Sequence, residues 1–401
     1  MTERRSGPTL AVVGATGAVG EVLLGLLSER ADVWGEIRLI ASPRSAGGLL
    51  SVRGTQTELL ALSEDVFDGV DVALFNVPDE VAAQWVPVAV SKGAAAVDSS
   101  TVFRGEPDVP LVVPEVNAHA ARVRPRGIVA SPHSTTLAMI VAVAALHSEW
   151  ALEELLLSSY QAVSGSGRAG VATLRGQLSA VSGMELGQKP GDLRRAVGDA
   201  TGPYPAPIAL NVVPFVGELA AAGVGDAGGG TDGAEGPDGA DGAYGDDGAG
   251  AGAAGSGTGD GEDDAEAVEG WTTEELRLRG ETRKILGLPR LAVGATCVRV
   301  PVITGHSVSV HARFEREVSV AGAHEILANA PGVVLCDDPE QGEFPTPADV
   351  AGTDPTWVGR VRRALDDPRA LDLFVCGDNL RKGAALNSVQ IAELIAAELR
   401  L

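Results

Sequence analysis

The chain has 401 residues, 31 Lys and Arg against 54 Asp and Glu, and a formal net charge of −23. At roughly 150 residues per domain that length predicts two domains, or three. The acidic balance argues against nucleic acid or an anionic membrane surface as the main partner. Residues 223–270 concentrate the charge: 13 acidic residues, no Lys or Arg, and 18 of the 52 glycines. The other 353 residues carry −10, an ordinary value for a soluble enzyme.

Short apolar runs alternate with helical patterns through the first 130 residues. Leu10–Val13 reads as a buried strand, Val19–Leu27 as a helix, and Ile37–Ala41 and Val72–Asn76 as further strands. Ala94–Asp98, Val109–Val113 and Gly127–Ala130 continue the series. Strands alternating with helices predict a parallel sheet with right-handed crossovers. An apolar helix follows from Thr135 to Trp150, with Ser134, Thr135 and Thr136 able to cap its amides. Strands are expected at Leu155–Val163, Ala209–Val213, Thr296–Val302 and Val308–Phe314, in a more mixed second domain with a charged helix at Glu274–Leu286. Leu386–Leu399 is a broad-faced C-terminal helix. The Gly/Ala/Asp/Glu stretch 223–270 cannot bury enough apolar surface to offset its ordering entropy, so it is expected to be a disordered surface loop.

Cys297, Cys336 and Cys376 are widely spaced with no CxxC pair, which fits a reduced compartment. The longest apolar run, around Leu137–Leu146, is about half a membrane span. A cytoplasmic location without membrane contact is expected.

Leu10–Val13 runs directly into Gly14-Ala15-Thr16-Gly17-Ala18-Val19-Gly20. A strand, a glycine turn and a helix in that order present backbone N–H groups and a helix N-terminus to a pyrophosphate. Gly14, Thr16, Gly17, Ala18 and Val19 are therefore candidate cofactor contacts. A site for NAD usually has Asp or Glu about 20 residues beyond the turn, for the ribose 2′-OH. Here the second strand ends in Ser42-Pro43-Arg44-Ser45. Ser42, Arg44 and Ser45 suit a 2′-phosphate, which predicts NADP.

Several separated motifs then carry a specific resemblance. They are Gly14–Gly20, Ala41–Gly47, Asp98-Ser99-Ser100 with Phe103-Arg104, VPLVVPEVN at 109–117, SSYQAVSGSG at 158–167, ETRKIL at 281–286, ATCVRVPVITGHS at 295–307 and GDNLRKGAALNSVQIAE at 377–393. The chain resembles the aspartate-semialdehyde dehydrogenases over about residues 9–222 and 271–401. The resemblance implies an α/β fold with a Rossmann-like, doubly wound NADP-binding domain (1–133) and an α+β catalytic and dimerisation domain (134–365) containing the acidic insert. A C-terminal segment (366–401) returns to the first domain. It implies a homodimer that reductively dephosphorylates aspartyl-4-phosphate with NADPH, on the route to lysine through diaminopimelate, threonine and methionine.

By the same resemblance Gln161 orients the reacting group, His306 is the acid–base histidine and Arg299 grips the substrate carboxylate. Glu281 faces the substrate amine, while Arg104 and Lys284 hold the phosphate. Ser164, Gly165 and Asn379 complete the cofactor contacts. Residue chemistry agrees, since a planar guanidinium binds a carboxylate bidentately and a compact ammonium suits a phosphate.

The sequence departs from the family at the nucleophile. Where the family carries Asn-Cys-Ser-Thr, this chain has His133-Ser134-Thr135-Thr136. Ser134 takes the cysteine's place, and a serine hydroxyl needs a positioned base to attack. Neighbouring helical residues face different ways, so His306 rather than His133 is the expected base. Serine is also the commonest helix N-cap. One alternative is therefore an NADP-binding paralogue with lost or reduced activity, acting as a binding or regulatory subunit. A Ser134–His306 hydrolase ranks below it, because no GxSxG elbow is present.

Overall fold

The computed structural model describes residues 7–30, 33–220 and 268–400. The first sheet comprises β1 (Leu10–Val13), β2 (Ile37–Ala41), β3 (Leu49–Val52), β4 (Thr55–Ala61), β5 (Val72–Phe75), β6 (Ala95–Asp98) and β7 (Ile128–Ala130), in the order β3-β4-β2-β1-β5-β6-β7. Every neighbouring pair is parallel except β3–β4, a hairpin turning through Arg53 and Gly54. Its central strands are apolar without alternation because both faces are covered. Leu10, Val12, Leu74 and Val97 enter one core, while Ala11, Val13, Phe75 and Ala96 enter the other. Helix α1 (Ala18–Glu29) follows β1, and α2 (Asp79–Ser91) joins β5 to β6. Sheet order reverses at β1, which places the switch-point crevice at the carboxyl ends of β1 and β5.

Helix α3 (Ser134–Trp150) connects the two halves. Leu137, Ile140 and Val141 pack in the core of the first sheet, whereas Ala138, Met139, Ala142, Val143 and Leu146 pack in that of the second. A helix wedged between two sheets is buried nearly all round, which is why its sequence is apolar rather than amphipathic.

The second sheet contains β8 (Leu152–Gln161), β9 (Ala292–Arg299), β10 (His306–Phe314), β11 (Val333–Leu335), β12 (Thr356–Arg363) and β13 (Ala370–Gly377), ordered β11-β12-β13-β10-β8-β9. β8–β9 and β11–β12 are parallel pairs and the others antiparallel. Between β8 and β9 lie α4 (Gly167–Val181) and α5 (Thr273–Leu286). Helix α5 begins with a capping box, Thr272 paired reciprocally with Glu275, and ends at Gly287 in the left-handed conformation. Helix α6 (Val320–Asn329) covers β11 and β12, and α7 (Leu386–Leu399) returns to the first sheet. There Val389, Ile391, Ala392 and Ile395 join the Leu10 and Val12 core.

Two expected strands are corrected. Ala209–Val213 is loop, with a single bridge from Val213 to Arg299, and Val109–Val113 has one from Leu111 to Ala130. Both runs are apolar because they pack, not because they join a ladder. The expected disordered segment 223–270 lies outside the described residues except for its last three.

Candidate active site

The glycine turn is built as its sequence requires. Gly14 has φ +90°, and a Cβ there would lie 2.1 Å from the Asn76 carbonyl oxygen. No side chain caps α1 at Gly17, so the first amides of that helix face outward from a bare N-terminus. Gly14 Nα–H donates to the Ile40 carbonyl at 3.0 Å, tying the turn to β2. Ser42, Arg44 and Ser45 form a turn at the carboxyl end of β2, with Ser45 N–H donating to the Ser42 carbonyl at 2.9 Å. The donor set fits a dinucleotide phosphate. The Nη2 of Arg168, on α4, donates to the Thr16 carbonyl at 3.1 Å and so brings the second half of the chain onto this turn. Sequence reading did not single out Arg168.

Ser134 stands at the first position of α3, not at its N-cap. His133 is the N-cap, with φ −65° and ψ 151°. This corrects the expectation that Ser134 caps the helix, because the extended step falls one residue earlier, after Pro132. Ser134 faces a π-helical turn at Arg381–Ala385. A Cβ on Gly383 would approach its Cβ to 3.0 Å, so glycine there lets the turn close over Ser134.

Among the buried carboxylates of helix α5, Glu274 and Glu281 lie two turns apart on one face. Glu281 accepts from the His133 amide at 2.9 Å and from Thr136 Oγ1 at 2.6 Å, and Arg104 Nη1 lies 3.5 Å away. Arg104 is itself fixed by Nε to the Ser131 carbonyl at 2.9 Å. Glu274 Oε1 meets His133 Nδ1 at 3.0 Å, Gln161 Nε2 at 3.0 Å and Thr135 Oγ1 at 3.1 Å. Its Oε2 accepts from Arg277 Nη1 at 3.2 Å. Burial works to raise the Glu274 carboxyl, but the charges and hydrogen bonds of His133, Arg277 and Gln161 outweigh it and hold the group ionised well below the usual range.

At the ends of β8 and β9, His306 Nδ1 accepts from the Ala162 amide at 3.1 Å, and Arg299 Nη1 donates to the Ala162 carbonyl at 2.9 Å. Burial, then the charges of Arg299 and His133, push His306 well below the ordinary imidazole value. Gly165 packs against both, since a Cβ on it would lie 2.7 Å from Arg299 Nη1 and 3.4 Å from His306 Nε2. Asn379 Nδ2 donates to Ser164 Oγ at 2.9 Å, and its Oδ1 accepts from Gly305 N–H at 2.9 Å. Lys284 lies on the outer side of α5, donating to the Arg104 and Glu106 carbonyls at 2.8 and 2.7 Å. With Arg104, Glu281 and Arg283 it lines a cavity of about 410 Å³.

Among the described residues six buried side-chain atoms lack a hydrogen-bond partner. Three of them belong to this cluster: Arg104 Nη1, Gln161 Oε1 and His306 Nε2. Unsatisfied buried polar groups are costly and call for an occupant. No thiol competes with Ser134. Cys297 is buried, its thiol pushed well up by desolvation and by Glu274, and Cys376 is pushed up to about 12 by burial.

Residues 9–123 match the family described as semialdehyde dehydrogenase, NAD binding domain, and residues 143–224 and 260–382 match semialdehyde dehydrogenase, dimerisation domain. An aspartate-semialdehyde dehydrogenase from Corynebacterium glutamicum is 42% identical, over 96% of this chain and 99% of that one. The chain belongs to the aspartate-semialdehyde dehydrogenase family. A member from Mycolicibacterium smegmatis is 41% identical over 97% of this chain and 99% of its own. The crystal structure of aspartate semialdehyde dehydrogenase II from Vibrio cholerae, complexed with ASA, has a TM-score of 0.79 at 30% identity. It covers 98% of this chain and 99% of its own. Within this aspartate-semialdehyde dehydrogenase fold, Ser134, Gln161, Glu281, Arg104, Arg299 and His306 fall into one linked cluster, and Lys284 joins it through the Arg104 loop. Sequence reading missed Glu274. Its spacing of seven from Glu281 was the available signal, hidden because Glu274 and Arg277 look like a surface i,i+3 pair.

Proposed function

We propose that this chain interconverts aspartyl-4-phosphate and aspartate 4-semialdehyde plus phosphate, with NADP as the redox partner. The observation that supports it best is a trio of buried atoms without a hydrogen bond, Arg104 Nη1 (3.5 Å from Glu281), Gln161 Oε1 and His306 Nε2. Two donors of the anion-binding and proton-donating kind and one acceptor suit a substrate carrying a carboxylate, an acyl phosphate and an ammonium group.

Bound NADPH would supply the hydride. Gly14, Thr16, Gly17, Ala18 and Val19 would hold its pyrophosphate, Ser42, Arg44 and Ser45 its 2′-phosphate, and Ser164, Gly165 and Asn379 its nicotinamide end. Arg299 grips the substrate carboxylate. Its backbone anchor at Ala162 also seats His306, so the carboxylate grip and the proton donor share one support. Glu281, beside Arg104, receives the substrate amine, while Arg104 and Lys284 receive the phosphate. Gln161 has its amide nitrogen committed to Glu274 and presents Oε1 to the reacting group. His306 donates from Nε2 toward the oxygen on which negative charge develops. Ser134 forms the covalent link to the acyl carbon.

A homodimer follows from the second sheet. Leu156 and Tyr160 stay exposed, 50% and 37%, on the face opposite α3, and Tyr160 packs at a tilt against Phe374 of β13. A second copy covers that face and makes it a core.

The test is NADPH formation from aspartate 4-semialdehyde and phosphate, measured for the wild type, Ser134→Ala and Arg299→Ala. Activity is expected in the wild type, none with Ser134→Ala, and a loss dominated by KM with Arg299→Ala. An unchanged Arg299→Ala enzyme would overturn the substrate assignment.

A further inference from the structure

We propose that His133, held by Glu274, is the proton acceptor that turns Ser134 into a nucleophile, a refinement that rests on the dehydrogenase reading above. The tautomer of each imidazole fixes its role. His133 Nδ1 has two neighbours, the Glu274 carboxylate at 3.0 Å and the Thr135 amide at 3.4 Å. The two contacts demand opposite roles of that nitrogen, since a carboxylate only accepts and an amide only donates. The shorter, charge-assisted contact wins, so Nδ1 carries the proton and the long capping contact is weak. With that proton on Nδ1, Nε2 is the atom at which the ring gains or loses its second proton.

His306 has the reverse arrangement. The Ala162 amide donates to its Nδ1, so the neutral ring carries its proton on Nε2. That nitrogen gives a proton and has no lone pair with which to take one. The two imidazoles of the site are therefore a donor, His306, and an acceptor, His133. One stretch of chain links them, since Gln161 donates to the Glu274 that holds His133 and the next residue, Ala162, donates to His306.

The objection that adjacent residues face apart applies within a helix. His133 is the extended N-cap and only Ser134 is helical. Their Cα atoms are about 3.8 Å apart, so the two side chains are rooted side by side at the mouth of the helix, where a proton passes directly or through one water in the proposed step. Glu274 also receives Gln161 and Thr135 on the same oxygen, so one buried carboxylate sets the tautomer of the base and the orientation of the amide. It is a positioning residue, as carboxylates behind catalytic imidazoles are.

In the reductive direction Ser134 Oγ bonds to the acyl carbon as its proton passes to His133 Nε2. The acyl carbon–phosphate oxygen bond breaks, and phosphate leaves with the electron pair and takes up the proton. With the hydride that bound NADPH would supply to the ester carbonyl carbon, the carbon–Oγ bond breaks and the semialdehyde departs. The serine alkoxide is reprotonated through His133 by the single proton that the overall reduction consumes.

The test crosses His133→Asn with Ser134→Cys and follows kcat/KM for semialdehyde oxidation, with NADP binding and thermal denaturation measured on all four proteins. With Ser134 in place, His133→Asn is expected to cost about 10²–10⁴-fold. In the Ser134→Cys background the loss should be at least about tenfold smaller, because a thiol at a helix N-terminus is partly ionised without help. Equal losses in the two backgrounds would overturn the proposal and leave His133 a structural cap, with the dehydrogenase reading intact. An inactive wild type rescued by Ser134→Cys would also overturn it, since Ser134 would then lack an effective base. Absence of turnover in both, with NADP still bound, would refute the proposal and the dehydrogenase reading together.

Discussion

Gly165→Ala isolates the alignment of Arg299 and His306 from the stability of the fold. The added methyl would start 2.7 Å from Arg299 Nη1 and 3.3 Å from His306 Cε1. Ordinary contact distances are near 3.5–4.0 Å, so the guanidinium must retreat by roughly 0.5–1 Å. Gly165 does not have a positive φ, so the backbone tolerates alanine. The atom that must move is the end of a flexible side chain, and the expected stability change is no more than about 1 kcal/mol. Misplacement of a substrate clamp by an ångström costs about 10²-fold in rate, near 2.7 kcal/mol of transition-state stabilisation. The effect should appear in kcat/KM for the semialdehyde while thermal denaturation moves little. Gly176→Ala is the control. It lies exposed within α4 with open space around its Cβ, and should stabilise by about 0.5–1 kcal/mol without changing kinetics. Wild-type kcat/KM in Gly165→Ala would refute the placement of Arg299 and His306 around the substrate.

Arg44→Ala should raise the KM for NADP by about tenfold and leave that for NAD nearly unchanged, because NAD lacks the 2′-phosphate that a guanidinium binds; a parallel rise in both would remove the residue from that role. Lys382 is buried with Glu115 Oε2 at 2.6 Å, and Asn387 and Gln390 complete its coordination. Lys382→Met should therefore cost about 3–5 kcal/mol in urea denaturation by stranding Glu115, and a loss below about 1 kcal/mol would show the pair to be dispensable. His306 is held neutral in the folded state while the unfolded chain takes up its proton near the ordinary 6.5. Stability should then fall as pH drops below about 6.5, by up to about 1.4 kcal/mol per pH unit, with the slope reduced in His306→Gln. Asp98 has the opposite sign: burial, opposed by Ser100 and Arg104, raises its carboxyl from 3.8 to about 6. Stability is lost as pH rises through that window and stays lost above it, so Asp98→Asn should stabilise by up to about 3 kcal/mol at neutral pH, and by nothing near pH 4.

The cofactor half of the molecule was legible because its signals are local. Gly14 must be glycine where it abuts the Asn76 carbonyl, and the absence of a carboxylate after β2 is a statement about a few consecutive residues. The second half depends on long-range packing. Apolar Ala209–Val213 looks like a strand because it is buried, yet only Val213 finds a partner strand. The strands β12 and β13, with Trp357, Val358, Leu373 and Val375, pass unnoticed among charged neighbours that face outward. At the nucleophile the sequence placed Ser134 correctly near the start of a helix but one position off the cap. A cap is defined by the ψ of a single residue, which composition does not encode. Glu274 was invisible for a related reason: its partners His133, Thr135 and Gln161 come from elements more than 100 residues away.

The distribution of charge explains how a strongly acidic chain can hold an anionic substrate. Screening confines exposed charges to about 8 Å at physiological ionic strength, so the net charge of the chain says little about what a buried site presents. Buried groups are screened far less, and what the substrate meets is the local set. There Arg104, Arg277, Arg299 and Lys284 outnumber the carboxylates Glu274 and Glu281, and each carboxylate is already committed. Glu274 is spent on Arg277 and on orienting His133 and Gln161, while Glu281 is spent on Arg104 and on the His133 and Thr136 hydrogen bonds. Neutralising both carboxylates would strengthen the positive field, yet it should weaken turnover, because the same charges hold the acceptor imidazole and the amide in place. Affinity for the phosphate and competence of Ser134 thus draw on the same two side chains of α5 in opposite directions.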